Sequence, residues 1–391
     1  MLILPRTLPS QKMPSSAALN TRSFFELHWT CWKFLGIITP TSSYYYLAYS
    51  VMLQLLVTVW YPLHLSLALF TSSTTSANMQ SLGVFVIELA CSMKFIIYAY
   101  KLSRIRELES ILAELDARLH SPREHIYLVQ LRKDMHQITI IISSTYAIVA
   151  VTAELMFIFR NDHNLLYPAW FPFDWRATEV AYYLAHLYQI IGFAYQVLQN
   201  FVNDFFPATA LALLSAHIKL LGIRVSEIGY AKKSLNENEK ELVLCIEDQE
   251  KLYKMLNTIQ DIISLPMFLQ FTVTAFNICI SMAALLFFVD ALFDRLYYFA
   301  YFISMPLEIF PTCYYGTAFQ SNLDNLHIAM YSCNWVDQTQ KFRKHMILFC
   351  ERSLKQHRVI AGGIVPIHLD TFVSTCKGAY SLLAVITKMN E

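Results

Sequence analysis

The side chains that could do chemistry in this sequence are ionisable residues inside long apolar stretches. Glu88 and Glu154 are acids of this kind, and Lys94 and Lys377 are the corresponding bases. An ionisable group is costly in hydrocarbon, so such residues need a partner, water or a ligand. We expect Lys377 to face protein or a water-filled path. Positions of this kind are typical of binding sites and ion pathways.

Covalent catalysis has no support in the sequence. The nine glycines form no G-x-G-x-x-G and no P-loop, and neither G-x-S-x-G nor H-E-x-x-H is present. The eight cysteines match no C-x-x-C or zinc spacing. The twelve histidines are scattered along the chain. We therefore expect no enzyme, no metal site and no cofactor.

The composition indicates a protein of the lipid bilayer. Of the 391 residues, 55% are apolar and only 15% are charged, whereas soluble domains carry about 25% charged residues. The formal net charge is +1, which argues against a nucleic-acid partner. A multi-pass membrane protein is the class that remains.

Seven apolar stretches are long enough to cross about 30 Å of hydrocarbon as helices. They cover residues 44–70, 82–100, 138–159, 181–214, 262–289, 297–318 and 369–386. The polar stretches 101–137 and 238–262 also show apolar residues at helical spacing. The sequence therefore predicts an all-α polytopic membrane protein with seven transmembrane helices.

The basic residues indicate the orientation in the membrane. Twenty-four of the thirty Lys and Arg residues precede the first span or lie in the loops after the second, fourth and sixth spans. Positive residues collect on the cytoplasmic side of membrane proteins. We therefore expect a cytoplasmic N-terminus and an extracellular C-terminus, an inverted topology compared with a G-protein-coupled receptor.

Three stretches of the sequence resemble the insect odorant receptor family. Two of them are residues 32–40 (WKFLGIITP) and 165–175 (LLYPAWFPFDW), and the third is an ordered series near the C-terminus. The series consists of 313–316 (CYYG), 331–335 (YSCNW), 342–344 (FRK), 361–363 (AGG), 369–372 (LDTF) and 377–381 (KGAYS). With seven spans and the inverted topology, the resemblance extends over nearly the whole chain.

The resemblance implies an odorant-gated, non-selective cation channel that detects volatile small molecules. It also implies a hetero-tetramer with the odorant receptor coreceptor around a central pore. Such a complex is expected in the plasma membrane, in the dendrite or cilium of olfactory sensory neurons. The second intracellular loop is ordinary in length, whereas that of the coreceptor is much longer. The chain therefore resembles an odorant-specific tuning subunit.

The resemblance divides the chain into four segments. Residues 1–43 are expected to form a cytoplasmic N-terminal segment. Residues 44–318 carry transmembrane helices one to six, with an odorant pocket in their outer half and cytoplasmic helical loops. Residues 319–368 form a cytoplasmic segment that contacts other subunits, and residues 369–391 form the pore-lining seventh helix. Gly362 and the glycine after it are expected to break any helix between the last two segments.

Val385 and Met389 are four residues apart on the seventh helix and share one face. By position they match the gate residues of the family. A ring of such apolar side chains excludes water from a narrow pore, and the alternative is that both residues face lipid. Lys388 lies near the outer mouth, where it either extends its amine to water or reduces the cation flux.

A pocket for volatile odorants needs apolar walls and a few polar contacts. The outer halves of the helices supply ten candidate ligand-binding residues: Phe85, Glu88, Leu89, Met156, Tyr183, Tyr188, Ile191, Tyr298, Tyr301 and Phe302. The alternative for each aromatic residue is helix packing or an interfacial belt. The proline-containing aromatic stretch 167–175 predicts a rigid lid over the outer helix ends, with direct ligand contact as its alternative.

Tyr331, Trp335 and Phe342 are aromatic residues in a segment that is expected to face water. An exposed aromatic patch indicates an interface, so we expect these residues to contact other subunits. The alternative is a private core within the chain.

Two other classes of membrane protein are the alternatives. A G-protein-coupled receptor would need an external N-terminus, and neither D-R-Y nor N-P-x-x-Y is present where it should be. A transporter would favour internal repeats, and none is visible. Asn200, Asn203, Asp204 and Pro207 nevertheless form a polar patch that a transporter could use. In a channel this patch lines an aqueous vestibule or packs against a neighbour.

Overall fold

The computed structural model describes residues 20–37, 43–71, 75–159, 165–231, 233–289 and 291–390. The side chains of residues 71, 75–80, 288 and 382–390 are outside this description. The parts described are built almost entirely from helices.

Twelve α-helices are found in the described ranges: α1 (Glu26–Phe34), α2 (Tyr44–Leu53), α3 (Trp60–Thr71), α4 (Thr75–Tyr100), α5 (Leu102–Asp116), α6 (Pro122–Ile158), α7 (Glu179–Ser226), α8 (Leu235–Ala283), α9 (Leu292–Asp324), α10 (Leu326–Tyr331), α11 (Gln340–Ser353) and α12 (Leu369–Asn390). A 3-10 turn (Thr21–Phe25) precedes α1, and π-helical segments join α2 to α3 (Gln54–Val59) and extend α8 (Ala284–Phe288). A two-stranded antiparallel hairpin of β1 (Ile360–Ala361) and β2 (Val365–Pro366) lies before α12, and it pairs Ala361 with Val365.

All seven expected spans fall on helical segments of the structure, apart from single residues at two of their ends. The first span is formed by α2, the π-helical segment and α3, and the others by α4, α6, α7, α8, α9 and α12. In the described part of the chain, the first five are apolar and long enough to cross a membrane by length and composition. Within the other two expected spans, α9 carries Glu308 and α12 carries Lys377.

Several helices are longer than the expected spans. Helix α7 has 48 residues, or about 72 Å of helix, and α8 has 49 residues. The polar stretch 238–262 is therefore the first half of α8 and not a separate helix. The stretch 101–137 is instead divided between α5 and the start of α6, because residues 117–121 interrupt it.

Local sequence explains where the long helices begin. The Ser121 side chain accepts a hydrogen bond from the backbone at the start of α6, the Glu124 carboxylate accepts one from the Ser121 backbone N–H, and Pro122 occupies the first turn. Ser234 and Glu237 form the same reciprocal cap at the start of α8. Such caps satisfy backbone N–H groups that have no partner within the helix.

Helix α5 confirms the apolar spacing seen in the sequence. Ile105, Leu108, Ile111, Leu112 and Leu115 are all buried. They face α8, against which α5 packs. The opposite face of α5 is polar, as expected for a helix that covers a core at its surface.

Helix α7 is the central element of the bundle. It packs against α9, α8, α6 and α4, and 83% of its most apolar 18-residue stretch is buried.

One end of the bundle carries α1, α5, α10 and α11, and we call it the anchor end. The opposite end carries residues 165–178, and we call it the lid end.

The connection between α11 and α12 is fixed by close backbone contacts. The backbone N–H of Gly362 donates to the carbonyl of Ser264 on α8 at 2.9 Å. Gly362 has φ +58°, and a Cβ placed there would lie 2.7 Å from the Phe268 ring. A Cβ on Gly316 of α9 would lie 2.2 Å from the carbonyl oxygen of Ile367. The hairpin is therefore packed tightly against α8 and α9 at the start of α12.

Candidate ligand-binding site

An internal cavity lies between α4, α6, α7, α8 and α9, below residues 165–178 at the lid end. It leaves about 50 Å³ open to water-sized molecules, which is room for only a few waters. The lining residues are Val84, Ile87, Glu88, Ala90, Lys94, Tyr146, Val149, Tyr167, Phe193, Val197, Asn200, Gln270, Val273, Tyr297, Tyr301, Ser304, Met305 and Glu308. Most of the wall is apolar or aromatic, as in sites that bind small organic molecules.

Helical spacing brings the residues of each wall together. On α4, Val84, Ile87 and Glu88 lie within one turn, and Lys94 follows on the same side of the helix. On α7, Asn200 and Asp204 are four residues apart and therefore share a face.

A buried polar network closes the cavity toward the anchor end. The ammonium group of Lys94 donates to Asp204 Oδ1 at 2.5 Å, to Gln270 Oε1 at 2.6 Å and to Asn200 Oδ1 at 3.4 Å. Gln270 Nε2 in turn donates to Glu308 Oε2 at 3.2 Å. The network thus joins α4, α7, α8 and α9, and it gives the ammonium group the partners that a charge needs inside a membrane protein.

Helix α6 joins the same network through a tyrosine. The hydroxyl of Tyr146 donates to Asp204 Oδ2 at 2.9 Å. Both carboxylate oxygens of Asp204 are therefore engaged. Of the polar patch seen in the sequence, Asn200 and Asp204 belong to this network, while Asn203 and Pro207 are buried elsewhere along α7.

The lid-end wall is fixed by residues of the segment between α6 and α7. The side chain of Gln189 accepts a hydrogen bond from the backbone N–H of Tyr167 at 3.4 Å and donates to its carbonyl at 2.9 Å. The hydroxyl of Tyr167 lies 3.4 Å from that of Tyr297. Trp170 donates its backbone N–H to the carbonyl of His64 at 3.0 Å. The segment 167–175 therefore covers the bundle as expected, and through Tyr167 it also reaches the cavity.

Glu88 differs from the other polar residues of the cavity. Its side chain is 3% exposed, and Oε2 is buried without a hydrogen-bond partner in the described structure. Among the described lining residues, it is the one with such an unpartnered buried side-chain atom. The cavity therefore has a hydrogen-bonded polar network at one end and an unpartnered carboxyl oxygen in its apolar wall.

The structure brings some of the ten candidate pocket residues together. Glu88 and Tyr301 line the cavity. Phe85, Met156, Tyr188 and Tyr298 belong to the apolar core that surrounds Tyr167 and Phe193. Phe302 packs against a separate small cluster that includes Met305.

The other three candidates lie on the outside of the chain. Leu89, Tyr183 and Ile191 are 40%, 61% and 48% exposed. Leu89 directly follows Glu88 on α4, and one step along a helix turns a side chain by about 100°. A ligand in the cavity would not contact these three residues.

Several lining residues were not singled out in the sequence. They include Tyr146, Phe193, Gln270 and Glu308. One signal could have found part of this set, because a buried lysine such as Lys94 requires acidic or amide partners on neighbouring helices. Phe193 gives no comparable signal, since it is one of 27 phenylalanines.

The three predicted gate and mouth residues lie in α12, whose backbone is described. The side chains of Val385, Lys388 and Met389 are outside the described residues. Nearer the start of α12, Thr371 and Ala379 are buried against the bundle. The opposite face, with Lys377, is exposed in the single chain.

The predicted subunit-contact residues occupy different environments. Tyr331 is 58% exposed, and Trp335 is partly buried. Phe342 is fully buried within the chain's own core, as the private-core alternative describes. Exposed apolar residues do occur nearby, with Val336 at 60% and Ile347 at 66% exposure.

The arrangement supports non-covalent binding. Across the described ranges, no three His, Cys, Asp or Glu side chains come together as metal ligands. A largely apolar cavity within a membrane helix bundle is the kind of site found in receptors for small molecules.

Comparison with known proteins identifies the class. The family model described as 7tm Odorant receptor matches residues 74–380. The chain is 40% identical to odorant receptor 59a of Drosophila melanogaster, over 95% of this chain and 99% of that protein. It is 36% identical to odorant receptor 23a of the same species, over 93% and 95% of the two chains.

Solved structures share the fold. The olfactory receptor OR5 of Machilis hrabei superimposes with a TM-score of 0.80 at 15% identity, covering 93% of this chain and 97% of that one. Its complex with eugenol superimposes with a TM-score of 0.81, covering 95% and 99%. This fold confirms the expected all-α architecture with seven membrane helices.

The fold and the cavity thus define a seven-helix membrane receptor. The chain belongs to the insect odorant receptor family, as the sequence resemblance indicated. This is a family of receptors and not of enzymes.

Proposed function

We propose that this chain is the odorant-binding tuning subunit of an odorant-gated, non-selective cation channel. The partner subunit is the odorant receptor coreceptor, in a hetero-tetramer around one pore. The complex acts in the plasma membrane of the dendrite or cilium of olfactory sensory neurons. The observation that carries this proposal is the largely apolar cavity at the lid half of the bundle, in a chain of this family.

The ligand is a volatile small molecule bound in that cavity. Glu88 and Tyr301 contact it directly, and Phe85, Met156, Tyr188 and Tyr298 shape the surrounding wall. The open space is smaller than a typical odorant. A ligand therefore enters by displacing side chains that line the cavity, among them the aromatic rings of Tyr167, Phe193 and Tyr297.

The anchor end faces the cytoplasm in this proposal, and the lid end faces the exterior. Support comes from the charge distribution, because basic residues collect on the cytoplasmic side. At the anchor end Arg224 pairs with Glu124 at 2.7 Å and with Asp248 at 2.6 Å, and Arg118 pairs with Glu241 at 2.7 Å. The N-terminus is then cytoplasmic and α12 ends outside.

The pore is lined by the face of α12 that the rest of the chain leaves uncovered. This face carries Lys377, which is exposed in the single chain. In an assembled channel it reaches a water-filled path, which removes the cost of a lysine in lipid. Val385 and Met389 form the apolar gate farther along α12, and Lys388 lies at the outer mouth.

Residues 319–368 contact the neighbouring subunits from the cytoplasmic side. The support is the group of exposed apolar side chains on this segment, which includes Tyr331, Val336, Ile347 and Leu354. Burial of such a patch against another chain is favourable in water. Trp335 lies at the edge of this surface, and Phe342 stabilises it from within.

The proposal is tested by recording currents from cells that express this chain with an odorant receptor coreceptor. When a broad panel of volatile compounds is applied, some compounds should evoke inward cation currents in these cells. Cells that express the coreceptor alone provide the control for currents that do not depend on this chain. If the two cell groups respond identically to every compound, the proposed function is wrong.

A further inference from the structure

Glu88 is the starting point for an inference about ligand class, which rests on the proposed function. The residue lies on α4, in the wall of the cavity, and it is 3% exposed. Its Oε2 atom is buried without a hydrogen-bond partner in the described structure. A buried polar atom without a partner is unfavourable, so a ligand that supplies a partner gains affinity there.

Other polar groups of the cavity already make hydrogen bonds. Lys94 is committed to Asp204, Gln270 and Asn200. Ser304 donates to the carbonyl of Tyr301 at 2.8 Å. A ligand that binds these groups would first have to break existing hydrogen bonds, whereas Glu88 offers its oxygen without that cost.

The position of Glu88 separates it from the charged network. It precedes Lys94 by six residues, or about 9 Å along the helix axis. Val84 and Ile87 flank it on the same helix, and Phe193 and Val197 line the cavity from α7. A ligand that contacts Glu88 therefore has one polar group at the carboxyl and an apolar remainder.

The unpartnered oxygen of Glu88 indicates which polar group of a ligand would fit. A ligand ammonium has three N–H donors, and one free carboxyl oxygen in an apolar wall would leave most of them unsatisfied. A hydrocarbon makes no hydrogen bond, and an ether can accept one from a carboxylic acid but has no hydrogen to donate to a carboxylate. A hydroxyl donates one hydrogen bond to a carboxylate and can also accept one from a carboxylic acid. It therefore fits Glu88 in either protonation state.

We propose that Glu88 is the specificity-determining residue of the cavity, and that it selects compact apolar molecules with one hydroxyl group, such as aliphatic alcohols and phenols. The hydroxyl hydrogen-bonds the Glu88 carboxyl, and the apolar part occupies the space beside Tyr301 and Phe193. Molecules of the same size without a hydroxyl bind more weakly, because they have no hydrogen to donate to the Glu88 carboxylate.

The test uses matched pairs of ligands on the complex of this chain with the coreceptor. Each pair consists of an alcohol or phenol and an ether with the same number of non-hydrogen atoms, for example hexan-1-ol and 1-methoxypentane. The wild-type complex should respond to the hydroxyl compounds at concentrations about tenfold lower. This comparison needs no variant, so it does not depend on the folding of a mutant.

Variants then assign the preference to Glu88. Glu88→Gln keeps an acceptor for the hydroxyl hydrogen but adds an N–H that can donate to an ether oxygen, so it should respond to the hydroxyl compound with a smaller preference over the ether. Glu88→Met has a similar shape without hydrogen-bonding groups, and it should respond to both members of a pair at similar concentrations. Glu154→Gln changes an acid of α6 that does not line the cavity, and it should match the wild type.

The outcomes separate this inference from the proposed function. If no compound evokes a current in the wild-type complex, the proposed function is wrong and the inference with it. If ethers are as potent as their alcohols in the wild type, or if Glu88→Met keeps the full preference, only the inference is overturned. A preference that is lost in Glu88→Met and kept in part in Glu88→Gln supports it.

Discussion

Lys94 of α4 and Asp204 of α7 form an ion pair with 2.5 Å between Nζ and Oδ1, at the anchor side of the ligand cavity. The two side chains are 3% and 4% exposed. Each also has a neutral partner, Gln270 for the ammonium and Tyr146 for the carboxylate. The pair therefore fixes the relative positions of the helices that form the cavity.

Removal of one partner of this pair should destabilise the protein. Lys94→Met leaves Asp204 as a buried carboxylate without its cation, a change that costs about 3–5 kcal/mol in buried pairs. We expect a lower thermal transition of the purified complex and less protein at the cell surface. The double variant Lys94→Met, Asp204→Leu removes both charges and should recover part of the loss. A double variant that is less stable than Lys94→Met would contradict this account of the pair.

A smaller side chain at Phe193 should shift odorant tuning toward larger ligands. Phe193 lines the cavity and is buried against Tyr167, with ring centroids 5.7 Å apart. Phe193→Leu enlarges the cavity, so we expect the half-maximal concentration of bulkier compounds to fall about tenfold relative to compact ones. Concentration–response curves for a homologous ligand series provide the measurement.

Tyr183→Leu is the matched control for this change, because Tyr183 is 61% exposed and lies outside the cavity. Its concentration–response curves for the same ligand series should match those of the wild type. Equal shifts of the half-maximal concentrations in both variants would mean that the cavity does not determine the preference for ligand size.

A methyl group at Gly316 should disturb the junction between α9 and α12. The added Cβ would lie 2.2 Å from the carbonyl oxygen of Ile367, and this contact is with backbone that cannot rotate away. Gly316→Ala should therefore reduce channel assembly or odorant-evoked current, together with a loss of thermal stability of roughly 1–3 kcal/mol.

The control for Gly316 is Gly378→Ala in α12, where no atom lies within 4 Å of the added carbon. Alanine favours a helix over glycine by about 1 kcal/mol, so this variant should be as stable as the wild type or more so. The same loss of stability in both alanine variants would rule out the contact with Ile367 as the cause.

His28 should make the stability of the chain depend on pH. It lies in α1, before the first span, and is buried among Phe25, Trp32 and Phe206, so that burial lowers its pKa to about 3. In the unfolded chain this pKa is about 6.5. The unfolded state therefore binds more protons between pH 6.5 and 3, and stability falls as the pH falls through this window.

Thermal unfolding at pH 7.5 and pH 5.0 tests this effect. The His28 contribution is a loss of about 2 kcal/mol between pH 6.5 and 5.0, and none above about pH 7. His28→Leu cannot be protonated and should lose less stability on acidification than the wild type. Identical losses in the two proteins would show that His28 is not the group responsible.

The architecture of this protein could be predicted well from its sequence. The seven spans follow from apolar length alone, and the buried face of α5 follows from its periodicity, because both depend on local composition. The extent of α8 could not be predicted in this way. Its polar half reads as a separate loop helix, yet the cap at Ser234 begins one helix that runs on into the membrane.

The cavity was predictable only in part, because its lining depends on how each helix is rotated against its neighbours. Glu88 was found since an acid inside a span is unusual, and Tyr301 since it is an aromatic residue in a suitable half of α9. Leu89 and Tyr183 met the same criteria, an apolar or aromatic side chain in the outer half of a span, but they point outward. Glu308 was missed although it is an acid within a membrane helix, and its link to Lys94 through Gln270 becomes visible only in three dimensions.

The central claim is that the odorant binds in the cavity between α4, α6, α7, α8 and α9. The most direct test is a structure of the complex with the coreceptor, determined with a saturating agonist. The account predicts ligand density inside the bundle, in contact with Glu88 and Tyr301. Density on the outer surface beside Leu89, Tyr183 and Ile191, with the internal cavity unchanged from the ligand-free complex, would contradict it.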